Sequence, residues 1–193
     1  MKTNLFIAVI FLVSSLFTGA AAQSSSDDSQ IKPPMPSVQT VELKLRGIEF
    51  NEGVVGFDNF NGRETVFGYA FVGQTYGALP GVLTLSMNCT PATFTPGMSN
   101  EMTGGTWALP IYSTPSVFKQ PVYLGSFYGH IANGKMGWEK TTAQIYLTFV
   151  IDGGTLKFTG ATGDGSFDGT LAEPVKGEGD ATLEGMFTLK YTL

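Results

Sequence analysis

The chain has one cysteine, Cys89, so it cannot form a disulfide within itself. A fold entering an oxidising compartment in that state must hold together by packing. Cys89 itself reads as a small buried apolar residue rather than a reactive thiol. A single histidine, His130, excludes a metal centre built from several imidazoles. It is also the one base a serine triad could use, and no G-x-S-x-G elbow accompanies it. Charge is sparse, at 14% of residues, with 16 acids against 11 bases. The net charge of −5 argues against affinity gained by neutralising nucleic-acid phosphates or anionic lipid. Helical periodicity is missing, and 25 glycines make helices poor candidates. Long apolar runs are missing too, apart from one near the N-terminus.

That run, Leu5 to Phe17, follows Lys2 and precedes Ala20-Ala21-Ala22. A basic start, a short apolar stretch and small residues before the cut predict a signal peptide over 1–22, cleaved before Gln23. The run is too short for a membrane anchor, so no membrane insertion is expected. Loss of Lys2 takes the charge from −5 to −6. The expected location is secreted or periplasmic. Residues 23–37 read as a flexible Ser/Asp/Pro leader. The remaining 38–193 suit one domain with a real core. Asn88-Cys89-Thr90 matches a glycosylation sequon, which matters only in a eukaryotic secretory route.

From Val38 onward the period is two. Val41, Leu43 and Leu45 share one face and Glu42, Lys44 and Arg46 the other. Gly47 is expected to break this register with a bulge before Ile48 and Phe50. Further strands are expected at 54–60, 65–73, 81–88, 105–113, 121–132, 135–139, 142–151, 155–159, 165–172 and 181–192. Asn61-Gly62, Asn133-Gly134 and Asp152-Gly153 carry hairpin-turn chemistry. The stretch 89–103 is expected as a surface loop. Segments 163–171 and 179–187 share a pattern of small residue, apolar residue, acid, glycine and second apolar residue. They are expected as adjacent strands with the same bend. The fold class is all-β, a single closed or nearly closed antiparallel β-barrel of about eight strands.

The glycine-rich stretch 153–172, GGTLKFTGATGDGSFDGTLA, invites ligand readings. It lacks the Lys of a phosphate loop, and its glycine spacing reverses that of a dinucleotide fingerprint. Asp164, Ser166 and Asp168 suit the start of a calcium loop, but the twelfth position is Val175 instead of a bidentate Glu. The aspartates read better as outward alternates on a strand, and the glycines as bends. No cofactor is expected.

Gly153-Gly154-Thr155-x-x-Phe158-x-Gly160-Ala161-x-Gly163 resembles the G-G-T-G-x-F-x-G-A-x-G motif of allene oxide cyclase and dirigent-type β-barrels. It is even more similar to a group of small secreted bacterial proteins of uncharacterised function. Gly104-Gly105-Thr106-Trp107 and Tyr123-Leu124-Gly125-x-x-Tyr128-Gly129 recur in the same order, so the resemblance covers about 104–193. Leu156 stands where the motif has glycine, which puts the local turn geometry in question. The resemblance implies a barrel in which this motif makes a corner and Phe158 plugs the core. It transfers no catalytic residue. It allows a homo-oligomer.

Candidate ligand-binding residues are Trp107, Tyr112, Tyr128, His130, Trp138 and Tyr146. The tyrosines and tryptophans combine an apolar ring with a polar tip. Tyr128 and His130 share one strand face, which either lines a cavity or looks outward. The leading expectation is a non-catalytic barrel that binds a small apolar or aromatic molecule. A cyclase or isomerase acting within the barrel is one alternative, and a structural protein with a filled barrel another.

Overall fold

The computed structural model describes residues 37–91, 97–114, 116, 119–173 and 180–193. The expected signal peptide and all but the last residue of the expected leader lie outside these. Nine strands run β1 (Gln39–Asn51), β2 (Val54–Asp58), β3 (Arg63–Gly77), β4 (Gly81–Cys89), β5 (Ser99–Tyr112), β6 (Tyr123–Glu139), β7 (Thr142–Gly154), β8 (Thr162–Ala172) and β9 (Thr182–Thr192). All pairings between them are antiparallel. β3 to β9 pair in chain order, β9 pairs with β1, and β1 pairs with β3 to close an eight-stranded barrel. β2 is the ninth strand. It follows β1 along the same edge of β3, pairing with Arg63–Phe67 and with no other named strand. It forms an arm whose Val54, Val55, Phe57 and tip residue Phe60 are all exposed.

The period-two pattern fills the interior. Leu43, Leu45, Phe71, Leu83, Leu85, Leu109 and Phe187 point inward and are buried, while Glu42, Lys44 and Arg46 stand outside. The middle of the barrel is packed by rings. Phe187 lies 5.1 Å from Phe149 and 5.8 Å from Trp107, centroid to centroid. Below them Phe127 stacks on Phe158 at 4.3 Å and on Tyr191 at 4.8 Å.

The glycine-rich motif Gly153–Gly163 makes the expected corner, with one difference. Residues Leu156–Phe158 form a 3-10 turn rather than a strand, and the turn folds Phe158 under the barrel. The Thr155 N–H donates to Ser126 O at 2.9 Å, and the Ser126 N–H donates to Thr155 Oγ1 at 2.9 Å. This corner closes one end. Leu156, standing where the motif has glycine, takes φ = 50°, the left-handed region. A leucine there costs about 1–2 kcal/mol relative to its ordinary backbone. Its side chain is 64% exposed and so contributes little packing in return. Leu156→Gly is therefore expected to raise stability by up to about 1 kcal/mol after the entropy cost of glycine. A urea titration checks this, and a lower midpoint for the variant contradicts it.

Three turn expectations are corrected. Gly47 makes no bulge. It faces Gly73 across β1–β3, where a Cβ would lie 2.6 Å from Val72 O, and alternation continues through it. Asn133-Gly134 is no hairpin, because β6 runs unbroken through it. Instead the β6–β7 register shifts between Ile131 and Asn133, a bulge. Asp152-Gly153 lies within β7, not at a turn. Asn61-Gly62 does lie in the turn joining β2 and β3. The stretch 89–103 is shorter as a loop than expected, since β5 begins at Ser99. The described parts of segments 163–171 and 179–187 pair as neighbours in β8 and β9, with Gly169 directly opposite Gly185. Asp164 and Asp168 face solvent on β8, pointing away from the core residues Phe167 and Leu171.

Candidate functional site

Among the described residues, nothing closes the far end of the barrel. A pocket of about 730 Å³ lies there, lined by the upper ends of β1, β3, β4, β5 and β6, by Val55 of β2 and by residues flanking β8 and β9. Its walls include Tyr69, Val66, Met136, Trp138, Asn100 and Ala181.

Bulges build this lining. On lower β6 the odd residues Phe127 and Ile131 point inward, while Tyr128 and His130 point out. The bulge at Ile131/Asn133 reverses the parity, so the even residues Gly134, Met136 and Trp138 turn inward. β5 does the same. Asn100 and Met102 are buried below a register shift, and Trp107, Leu109 and Ile111 are buried beyond it. A third shift, between Val66 and Tyr69, lies on β3. Each adds one residue to one strand and re-aims the side chains above it.

Glu49 is the polar centre. It continues the inward series Leu43, Leu45, Gly47 and receives the Tyr69 O–H at 2.9 Å. Its backbone N–H donates to Ala181 O at 2.8 Å, which ties β1 to the start of β9. Burial pushes the Glu49 carboxyl above its ordinary value, the Tyr69 hydrogen bond opposes this, and the charges of Glu52, Asp180 and Glu173 add to the rise. Tyr69 is pushed up by burial first and by Glu49 second, so its phenol stays a neutral donor. Burial pushes Cys89 up to about 11, so it is a thiol at neutral pH.

Asn100 is 1% exposed. Its Nδ2 donates to Thr90 O at 2.8 Å, which fixes which way the amide points, since a flip would set two carbonyl oxygens together. Oδ1 is then a buried acceptor with no donor among the described residues. Leaving such an atom unmatched costs about 1–3 kcal/mol.

The pH dependence of stability follows with a definite sign. A carboxyl whose folded pKa is raised stabilises the fold below its ordinary pKa of 4.5, and that contribution is lost as pH rises through the raised value. Glu49→Gln removes the ionisation, and Tyr69 can still donate to the amide oxygen. The variant is expected to keep its urea midpoint across the weakly acidic range where the parent loses stability. Identical pH slopes in the two proteins contradict the assignment.

The sequence-predicted residues scatter. Trp138 lines the pocket. Trp107 is buried in the ring stack, and its Nε1–H donates to Val150 O at 3.1 Å. Tyr112 lies towards the closed end against Tyr123, at 5.8 Å. Tyr128 and Tyr146 stand on the outer wall, 45% and 53% exposed. His130 is also outside, with Nδ1 2.9 Å from both Asp152 carboxylate oxygens. That pair is solvent-exposed, so no enclosed site surrounds it. Glu49, Tyr69 and Asn100 were missed by sequence reasoning. Uninterrupted alternation from Val41 would have placed Glu49 inside. The Asn88 of the sequon is engaged in the fold, its Oδ1 accepting from the Gly68 N–H at 3.1 Å. No protein-family profile matches the chain, and no curated protein shows significant similarity to it.

Proposed function

We propose that the protein is a secreted, non-catalytic barrel that binds one small, largely apolar molecule in the pocket at its open end. The observation that carries this is the pocket itself, walled by Tyr69, Val66, Met136 and Trp138, with a buried unmatched acceptor on Asn100. Its volume falls in the range of small-molecule sites, which are mostly apolar with a few fixed polar groups. The filled middle of the barrel supports binding at the mouth rather than deep inside. Apolar residues inside and charged residues outside, the reverse of a membrane-spanning barrel, support a water-soluble molecule. The likeness of the Gly153–Gly163 motif to allene oxide cyclase and dirigent barrels agrees with a ligand-holding fold, by analogy only.

A second reading, a cyclase or isomerase, is favoured by the Glu49–Tyr69 contact. A carboxyl raised above its ordinary value beside a neutral phenol is suited to moving a proton on a bound substrate.

N-phenyl-1-naphthylamine, a neutral probe that brightens in apolar sites, tests the binding reading. Saturable binding of about one probe per chain is expected at this pocket. His130→Ala, outside the barrel, should leave that binding unchanged. Val55→Glu, an exposed substitution at the pocket rim, should weaken it. No saturable binding, or binding lost in His130→Ala and kept in Val55→Glu, overturns the proposal.

A further inference from the structure

Every charged residue among the described pocket lining is an acid. They are Glu49, Glu52, Glu173 and Asp180, and no lysine or arginine joins them. They come from separate places, at the end of β1, the β1–β2 link, the segment after β8 and the segment before β9. All three others act on the Glu49 carboxyl through space, so the four form one field. None is in an ion pair among the described residues, where the pairs found are Arg46–Glu184 and His130–Asp152. Like charge concentrated around a concave apolar surface, with no positive partner among the described residues, favours the arrival of a cation.

The acids do not suit a metal. Among the described residues, no group of three or more His, Cys, Asp or Glu side chains converges closely enough to hold an ion. The pocket's remaining chemistry is that of an organic cation. Aromatic rings stand in the wall at Tyr69 and Trp138 and at the rim at Phe50, surfaces that attract an ammonium. Independently of the acids, the buried Asn100 Oδ1 lacks a donor among the described residues, and an ammonium N–H or a water it holds would supply one.

We propose that the pocket selects a small aromatic or aliphatic amine in its ammonium form, with the four carboxylates providing the field, the rings cradling the apolar body and Asn100 Oδ1 accepting from the charged head. The inference rests on the pocket being a ligand site, and narrows the ligand class. The acidic rim rejects carboxylate ligands by the same field that attracts the cation. Tyr69, a neutral donor already committed to Glu49, and Cys89, a thiol, add no positive charge from β3 or β4. Bringing a cation beside Glu49 also favours its ionised form, so binding should expel a proton in the weakly acidic range and tighten as pH rises through that range.

Three ligands of nearly one shape separate the outcomes. These are 1-naphthylmethylamine, a cation at neutral pH, 1-naphthylmethanol, which is neutral, and 1-naphthoate, an anion. Calorimetric titration of the full chain at low salt is expected to rank them in that order. The amine should exceed the anion by on the order of ten-fold or more, a gap that narrows with added salt. Glu173→Gln with Asp180→Asn, both at the rim, should shrink the gap without lowering affinity for the alcohol. Equal affinities for all three, or an anion that binds best, overturns the cation inference and leaves the pocket reading standing. Binding of none of the three overturns both. A gap that persists unchanged in the rim double variant also overturns the inference, by assigning the preference to other charges.

Discussion

Phe187→Ala is expected to lower the free energy of unfolding by about 3–5 kcal/mol. The ring is fully buried and sits at the centre of the stack with Phe149 and Trp107. It also stands directly opposite Phe167 across β8–β9. Removing it takes away apolar burial and opens a cavity that closed strands cannot collapse around. The chain has no internal disulfide to offset the loss. A domain of this kind has about 5–15 kcal/mol in total, so the variant should unfold at a much lower urea concentration. Loss below about 1 kcal/mol would mean that the ring stack does not hold the barrel together.

Gly185→Ala is expected to cost about 1–3 kcal/mol by the opposite route, overpacking. A Cβ at Gly185 would lie 2.6 Å from the Gly169 Cα and 2.7 Å from the edge of the Phe167 ring. The first contact is backbone and cannot swing away. The second is a side chain, so Phe167→Leu in the same chain should recover part of the loss. The coupling between the two changes is read from a double-mutant cycle in urea. Strictly additive costs would show that the ring is not the constraint.

That glycine pair was visible in the sequence. Asp168-Gly169 and Glu184-Gly185 repeat one pattern, and the structure sets the two glycines face to face. The barrel, the inward apolar series and the corner at Gly153–Gly163 were legible for the same reason, since alternation and turn residues are local signals. Leu156, the departure from the motif, put the local turn geometry in question, and the structure shows a left-handed backbone there. The pocket was less legible. Its lining depends on bulges at Ala132, Thr103 and Phe67–Gly68, and each moves one strand's parity by one residue. Asn133-Gly134 carries hairpin-turn chemistry, and no local signal marks the bulge just before it, at Ala132. Reading that bulge as a turn put Trp138 on a separate strand from Tyr128 and His130, whereas one strand carries all three. The bulge in fact sends Trp138 inward while Tyr128 and His130 stay outside. Glu49 was hidden differently. Gly47 was taken as a break, when it is a close approach to Gly73, and the acid two residues on inherits the inward position.

The central claim is that binding occurs at the open end of a filled barrel, not on the outer wall and not deep within. Amide and indole NMR spectra of the labelled protein, titrated with 1-naphthylmethanol, test it most directly. Shifts are expected at the Trp138 indole N–H, the Asn100 side-chain amide and the Ala181 backbone N–H, with the Trp107 indole and the backbone at His130 unmoved. Shifts gathered around Tyr128, His130 and Asp152, with Trp138 and Asn100 silent, would contradict it.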